Sequence, residues 1–409
     1  MRPVRTDADA LPATSPWRPG PADDPHRWEA ALDVLAALGV TAYRLPVSWP
    51  RLQPAGRGEL SPHAVRRYRD LLGGLRARGI EPFVSLCHGD PPGELEARGG
   101  WTERETAVSF AGYARRTAAA LGDLVSHWIT VSEPWRPAFL GHGRGARAPG
   151  RRNPDDAVAA AYHLCLAHGL ATLAVREAAP GAVVGAANRV TDIVAAGDSA
   201  PDRAAARRLD AVANRLFLDP IYHGRYSTEV LDCVDPTGLW ALVRTGDLEV
   251  ISTPTDFAGV ALSRPSIARH DPGAPFEAGE QPAEAETGAE AGAGPTHAVL
   301  TRMAAEFTPL PLYMTESGTT RPGGTAPGPG ERAARLGGDL AAAARALADG
   351  VDVRGCFIRS STDDSAWTER YGERHGVLYV DYRTRERAPQ LSTPWYHDPV
   401  LAMDSVPAA

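Results

Sequence analysis

The sequence predicts an α/β fold built as a (β/α)8 TIM barrel with its first strand degenerate or missing. Helix-like and strand-like segments alternate from residue 26 onward, which is typical of a parallel sheet covered by helices. The 409 residues suit one such barrel with insertions. Seven strands can be counted, one short of a closed barrel. An open doubly wound sheet is the alternative, less favoured because no glycine-rich phosphate turn follows an early strand.

The strand-like segments are short apolar runs that lie between turn-forming residues. They cover residues 41–49, 82–87, 128–132, 182–188, 256–262, 310–315 and 353–360. Most of the helix-like segments show apolar residues three or four positions apart, or open with a helix-capping residue. They cover 26–39, 61–78, a segment that opens with the capping box Thr102–Glu105, 153–178, 202–216, 297–307 and the alanine-rich 332–348.

The domain organisation follows from composition. Residues 1–25 contain six prolines and no periodic apolar pattern, which predicts an irregular arm. Residues 26–396 form the barrel domain, interrupted by an acidic low-complexity loop at 271–295, and 397–409 form a tail. Two ways to complete the barrel remain open. Either the arm supplies the first strand, or the barrel stays open and oligomerisation covers its edge.

Composition excludes several kinds of chemistry. The chain has no lysine, which rules out Schiff-base catalysis, pyridoxal phosphate enzymes and the phosphate-binding lysine of kinases and P-loop proteins. The formal net charge is −7 and the arginines are scattered among acids, so nucleic acid is not expected as a partner. No cofactor is indicated.

Cysteine usage and hydropathy point to a cytoplasmic protein. The four cysteines are far apart and form no zinc-binding spacing, so we expect reduced thiols and no metal site. No secretory signal or transmembrane helix is expected, because a long enough apolar run is missing, and so no membrane partner is expected.

Two glutamates carry the functional prediction. Trp128 to Val131 leads into Glu133, and the run ending at Met314 leads into Glu316. Carboxylates at the carboxyl ends of parallel strands meet at one mouth of a barrel. Glycoside hydrolysis needs such a pair: one carboxyl group protonates the leaving oxygen and the other attacks or activates water. The alternative is that each is only a surface residue at a strand end.

Several motifs, taken in order, resemble glycoside hydrolase family 1, the β-glucosidase type of (β/α)8 barrel. The likeness spans about residues 26 to 396, and it is carried by Tyr43–Arg51, Leu86–Pro92, Gly99–Trp101, Thr130–Pro134, Gly145–Gly150, Phe217–Pro220, Tyr313–Gly318 and Gly376–Tyr382.

The resemblance implies roles for individual residues. Glu133 matches the family's general acid/base and Glu316 its nucleophile, with the two carboxyl groups about 5 Å apart for retention of configuration. Arg44 matches the arginine beside the nucleophile, and His88 the histidine that hydrogen-bonds a sugar hydroxyl. Trp367 matches an aromatic wall of the sugar site.

The chain departs from the family where the sugar is held. Ser132 replaces the asparagine before the acid/base, and Gly89 replaces the tryptophan of a His-Trp-Asp motif. Arg359 aligns with the floor tryptophan and Ala366 with the glutamate that binds the far hydroxyls. In the family, the first strand supplies a glutamine that binds the sugar. We expect no counterpart of this glutamine in residues 1–25. We therefore expect a substrate that carries a carboxylate or phosphate, or is not a plain sugar.

The leading hypothesis is a retaining β-glycosidase or transglycosidase that acts on a small β-linked glycoside, such as a glycosylated secondary metabolite. A second hypothesis is a barrel in which the same two glutamates perform a cyclisation or dehydration on a non-sugar compound. A third is a non-catalytic binding or scaffold protein. The sequence leaves the oligomeric state open.

Overall fold

The computed structural model describes residues 5–7, 25–234, 236–282, 290–317, 329–359, 378–380 and 387–389. Eight parallel strands close into a barrel, as predicted for the fold class, in the order β1-β2-β3-β4-β5-β7-β10-β11 and back to β1. The barrel strands are β1 (Arg5–Asp7), β2 (Ala42–Pro46), β3 (Glu81–Cys87), β4 (His127–Ser132), β5 (Val183–Val190), β7 (Phe257–Leu262), β10 (Leu312–Ser317) and β11 (Val353–Arg359).

The first strand is present, which corrects the prediction of an irregular arm without a strand over residues 1–25. Arg5–Asp7 pairs with β2 through Asp7 and Arg44, and with β11 through Asp7 and Arg359. Three residues, two of them charged, give no apolar run from which a strand could be predicted. The pairing supplies backbone partners to both neighbouring strands, so the arm closes the barrel and the open alternative is wrong.

Helices cover the outside of the barrel. Their bounds are α1 (Pro25–Ala37), α2 (Trp49–Leu52), α3 (Pro62–Ala77), α4 (Gly93–Glu96), α5 (Arg104–Leu121), α6 (Pro154–Ala178), α7 (Ala200–Asp210), α8 (Leu216–His223), α9 (Thr228–Leu231), α10 (Pro236–Leu242), α11 (Asp247–Ile251), α12 (Glu290–Arg302) and α13 (Pro329–Ala348). The predicted cap of α3 is confirmed, since the Ser61 side chain accepts a hydrogen bond from the Ala64 amide. The predicted capping box at Thr102 is wrong: its hydroxyl donates to the Gly99 carbonyl at 2.8 Å, in a 3-10 turn before α5.

The barrel interior is filled by one cluster of side chains from seven strands. The cluster consists of Ala42, Phe83, Ile129, Ala187, Phe257, Tyr313 and Phe357. Phe83 lies among the three other aromatic rings of this cluster, with centroid distances of 5.0 Å to Phe357 and 5.3 Å to Tyr313. This packing closes the barrel below the level of the candidate site, so the site is a cleft and not a channel.

Helix α6 is the one helix in the described part of the chain that is long and apolar enough to cross a membrane. Within its most apolar 18-residue window, 72% of the residues are buried inside the fold. It packs against α5 and β4, which is the environment of a core helix.

A small sheet outside the barrel corrects part of the prediction of an acidic low-complexity loop at 271–295, of which 283–289 lie outside the described residues. Strands β6 (Ile193–Ala195), β8 (Ser266–His270) and β9 (Ala278–Pro282) form this sheet, and α12 begins at Glu290. Strands β8 and β9 pair as a hairpin, and Glu280 lies in β9. This part of the chain is polar and has no apolar run from which a strand could be predicted. Strands β12 (Leu378–Val380) and β13 (Arg387–Pro389) pair antiparallel. The predicted tail at 397–409 lies outside the described residues.

Candidate active site

Glu133 follows directly on β4 and is held in an unusual backbone conformation. Its φ is +46°, in the left-handed region that few residues other than glycine adopt. Its amide donates to the Ala187 carbonyl at 2.7 Å, and its carbonyl accepts from the Arg136 amide at 2.9 Å. Only 4% of the residue is exposed. The surrounding hydrogen bonds therefore fix a strained residue, a pattern that clusters at functional sites.

Irregularities in two strands turn the site residues toward the barrel axis. Ile129 and Tyr313 belong to the interior cluster, and Ser132 and Glu316 lie three residues further along the same strands. Strict alternation would send residues at an odd spacing to the outer face. The register of β4 shifts between Ile129 and Ser132, and that of β10 shifts between Met314 and Glu316. These bulges reverse the alternation and bring both side chains inward.

The two glutamates face each other at the mouth of the barrel. One carboxylate oxygen of Glu133, one of Glu316 and a ring nitrogen of His88 all lie within 4.8 Å of one another. His88 Nε2 is 3.7 Å from Glu316 Oε1. Two carboxylates and an imidazole could ligate a metal ion, but an arginine already contacts each carboxylate. The positive charge of these two arginines makes the site unfavourable for a divalent cation.

Arg44 binds Glu316 deep inside the cleft. Arg44 Nη2 donates to Glu316 Oε1 at 2.7 Å, and the side chains are 1% and 7% exposed. Arg44 Nη1 also donates to Ser132 Oγ at 3.3 Å, and that hydroxyl lies 3.3 Å from Ser85 Oγ. A permanently charged arginine here stabilises the ionised form of a buried carboxylate.

Arg136 binds Glu133, a contact that the sequence analysis missed. Its Nε donates to Glu133 Oε2 at 2.5 Å, and its side chain is 29% exposed. Arg136 begins a π-helical segment that runs to Gly143. The available signal was the spacing of three residues, at which opposite charges meet on a helical turn.

The cleft beside Glu133 has a volume of about 150 Å³. Its polar lining consists of His88, Asp90, Ser132, Glu133, Arg136 and Arg147. Burial raises the pKa of Asp90 to about 6, helped by the nearby Glu96 carboxylate and opposed by Arg147. The described lining therefore combines two guanidinium groups with the Glu133 carboxylate and the Asp90 carboxyl group, whose pKa is about 6.

Asp90→Asn is expected to stabilise the fold at high pH and not at low pH. The pKa of this carboxyl is higher in the folded chain than the usual 3.8, so the folded state loses stability as pH rises toward 6. Asparagine removes that cost, and we expect a gain of about 1–3 kcal/mol at pH 8 and none near pH 4. Thermal unfolding at both pH values measures it.

The control is Asp123→Asn. The hydrogen bond from Arg69 lowers the pKa of Asp123, so this variant should give no gain at pH 8. Equal melting temperatures for Asp90→Asn and the parent at pH 8 would contradict the prediction.

The structure brings five of the seven predicted site residues together: Arg44, His88, Ser132, Glu133 and Glu316. Arg359 ends β11, but its side chain lies outside the described residues, as does Trp367. The ideas that Arg359 provides a cation at the pocket floor and Trp367 an aromatic wall stay predictions.

Comparison with known proteins finds relatives by sequence and by fold. The family model described as glycosyl hydrolase family 1 matches residues 21–404. A β-glucosidase from Agrobacterium sp. is 34% identical over 385 residues, which covers 91% of this chain and 83% of the relative. The crystal structure of the AHE enzyme from Alicyclobacillus herbarius superposes with a TM-score of 0.86 at 34% identity, covering 95% of this chain and 88% of that one.

A third relative was solved with a ligand. The virulence factor SghA from Agrobacterium tumefaciens, in complex with its substrate analogue salicin, gives a TM-score of 0.85 at 32% identity. The match covers 93% of this chain and 85% of that one.

Proposed function

The chain belongs to glycosyl hydrolase family 1 and is a glycoside hydrolase that acts on O-glycosyl bonds, and from this premise we propose how it does so. It cleaves β-linked glycosides with retention of configuration, with Glu316 as the nucleophile and Glu133 as the general acid and base. The observation that carries the proposal is the separation of their carboxylate oxygens, within 4.8 Å. Retaining enzymes need roughly 5–5.5 Å between the two carboxyl groups, whereas inverting enzymes need about 6.5–9.5 Å to admit a water.

The first step forms a glycosyl-enzyme. Glu316 attacks the anomeric carbon while the glycosidic C–O bond breaks, and Glu133 gives its proton to the departing oxygen. The ion pair with Arg44 keeps the attacking carboxylate ionised and orients it. His88, 3.7 Å from the same oxygen, is placed to contact a sugar hydroxyl next to the reacting carbon.

The second step releases the sugar. Glu133, now ionised, takes a proton from a water molecule whose oxygen attacks the same carbon, and the bond to Glu316 breaks. Each step inverts the carbon once, so the product keeps the configuration of the substrate. Both glutamates end in their starting protonation states.

We propose that this site forms fewer hydrogen bonds to the hydroxyl groups of the sugar than the site of a β-glucosidase that carries the family's usual residues. Serine at position 132 is shorter than asparagine, and its hydroxyl already lies within 3.3 Å of Arg44 and of Ser85. Gly89 provides no side chain to the cleft it lines. The salicin complex of SghA makes an aryl β-glycoside a reasonable first substrate.

The test is turnover of a panel of aryl β-glycosides that differ only in the sugar, followed by NMR of the product formed first. We expect at least one glycoside to be cleaved and its β-anomer to appear before mutarotation. An α-anomer formed first would overturn the retaining mechanism. No turnover across the panel would favour the alternative of acid/base chemistry on a non-sugar compound.

A further inference from the structure

Each of the two site glutamates has an arginine of its own. Arg44 Nη2 donates to Glu316 Oε1 at 2.7 Å, and Arg136 Nε donates to Glu133 Oε2 at 2.5 Å. When two carboxylates share a cleft without cations, their mutual repulsion keeps a proton on one of them. A guanidinium on each carboxylate offsets this repulsion, so both glutamates are ionised in the resting site.

The chain next to Glu133 fixes the position of Arg136. The Arg136 backbone amide donates to the Glu133 carbonyl at 2.9 Å, which closes a turn of four residues. Pro137 follows as the second residue of the π-helical segment, and its ring fixes the backbone φ there. The turn therefore places the Arg136 guanidinium beside the Glu133 carboxylate, in the wall of the cleft.

Arg189 is a second cation near Glu133. It lies near the carboxyl end of β5, and its guanidinium carbon is 4.3 Å from the centre of the Trp135 ring. Burial lowers the pKa of Arg189 to about 10, Arg136 contributes in the same direction, and Glu133 opposes the change. Arg189 therefore stays charged at neutral pH, and its charge also favours the ionised form of Glu133.

Two other titratable groups lie on this side of the site. A ring nitrogen of His88 is within 4.8 Å of a Glu133 oxygen, and Asp90 lines the same cleft. Burial raises the pKa of Asp90 to about 6, so its charge at neutral pH acts against the arginines. Arg136 is in hydrogen-bond contact with the Glu133 carboxylate, and the effect of a charge falls with distance. The contact with Arg136 is therefore the main influence on the charge of Glu133.

We propose that Arg136 is a positioning residue that keeps Glu133 in its basic form, and that the enzyme therefore prefers β-glycosides with an acidic leaving group. The inference rests on the proposed function and names the substrate class: glycosides of phenols that carry electron-withdrawing substituents. The glycoside of an alcohol needs a proton from Glu133 in the first step. Glu133 can carry that proton only when its ion pair with Arg136 is given up.

An acidic phenol can leave without that proton. Glu316 attacks the anomeric carbon, and the electron pair of the broken C–O bond stays on the phenol oxygen, which then takes a proton from water. In the second step Glu133 is already ionised, takes a proton from the attacking water and passes it to the solvent. The products are the sugar and the phenol, and both glutamates return to their ionised state.

The kinetic test uses four β-glycosides of one sugar that differ only in the leaving group: 2,4-dinitrophenyl, 4-nitrophenyl, phenyl and methyl. Their kcat/KM values report the step that breaks the glycosidic bond. We expect the parent enzyme to favour 4-nitrophenyl over phenyl by about 10²-fold or more. In Arg136→Gln, kcat/KM for the phenyl glycoside should rise about tenfold, because an opposite charge in contact favours an ionised carboxylate by at least this factor.

The 2,4-dinitrophenyl glycoside separates this role from a structural one. Its departure needs no proton, so its kcat/KM should change by less than about threefold in Arg136→Gln. A variant that merely disturbs the cleft would lower the rates of all four compounds and would raise none of them.

The matched control is Arg144→Gln. It removes a nearby charge whose partner is Glu280 and whose side chain is 54% exposed, so the parent's order of leaving groups should persist. An unchanged ratio of 4-nitrophenyl to phenyl in Arg136→Gln, or the same change in Arg144→Gln, would overturn the inference while leaving the glycosidase function intact. No turnover of any of the four compounds by the parent would instead overturn the proposed function, and the inference with it.

Discussion

Glu316→Gln is expected to lower kcat/KM for the best aryl glycoside of the panel by about 10⁴-fold or more. The amide cannot form the covalent bond to the anomeric carbon, so the two-step route is closed. The substitution is isosteric and keeps a group that accepts a hydrogen bond from Arg44, which holds the carboxylate at 2.7 Å. Steady-state kinetics of the purified variant measures the loss.

The control for this prediction is Glu177→Gln. Glu177 pairs with Arg115 at 3.6 Å on the surface, where its side chain is 68% exposed, so kcat/KM should stay within about twofold. A loss of less than tenfold in Glu316→Gln would mean that another group attacks, or that no covalent step occurs.

Arg44→Leu is expected to destabilise the fold by about 3–5 kcal/mol, because it leaves the Glu316 carboxylate buried without its cation. Arg44 is 1% exposed. Among the described residues around Glu316, His88 is the one that could supply a positive charge in place of Arg44, and only when its ring is protonated. For a chain of this size the loss corresponds to a fall in Tm of about 3–6 °C. Thermal and denaturant unfolding measure it, and activity should fall by at least about 10²-fold.

Arg69→Leu is the matched control. Arg69 pairs with Asp123 at 2.6 Å, a contact as short as that of Arg44, but the two side chains are 40% and 58% exposed. Its loss should cost less than about 1 kcal/mol. The double variant Arg44→Leu with Glu316→Gln should recover part of the stability, because neither charge is then left unpaired. Equal costs for the two arginines would contradict the view that burial makes this pair important.

The sequence analysis found the two glutamates because a short apolar run that ends at a carboxylate is a local pattern. To predict that Glu133 and Glu316 lie close together, we needed only the rule that the carboxyl ends of parallel strands meet at one mouth of the barrel. The bulges before them could not be predicted, since register depends on the neighbouring strands. Without the bulge in β10, alternation from Tyr313 would have turned Glu316 away from the site.

Residues whose role depends on three-dimensional neighbours were missed. Arg189 comes next after Asn188, where the predicted strand stopped, and nothing in the local sequence indicates that it lies over Trp135. The first strand, Arg5–Asp7, is defined by the edges that it joins and not by its own composition. Both features depend on contacts between segments that are remote in the chain, which a single sequence does not reveal.

The most direct test of the central claim is mass spectrometry of the protein after incubation with a 2-deoxy-2-fluoro-β-glycosyl fluoride of the preferred sugar. The fluorine slows release of the glycosyl-enzyme, so the covalent intermediate accumulates. The account predicts a mass increase of one fluoroglycosyl group, located by peptide mapping on Glu316. A stoichiometric adduct on any other residue, or unmodified protein that still cleaves aryl glycosides, would contradict it.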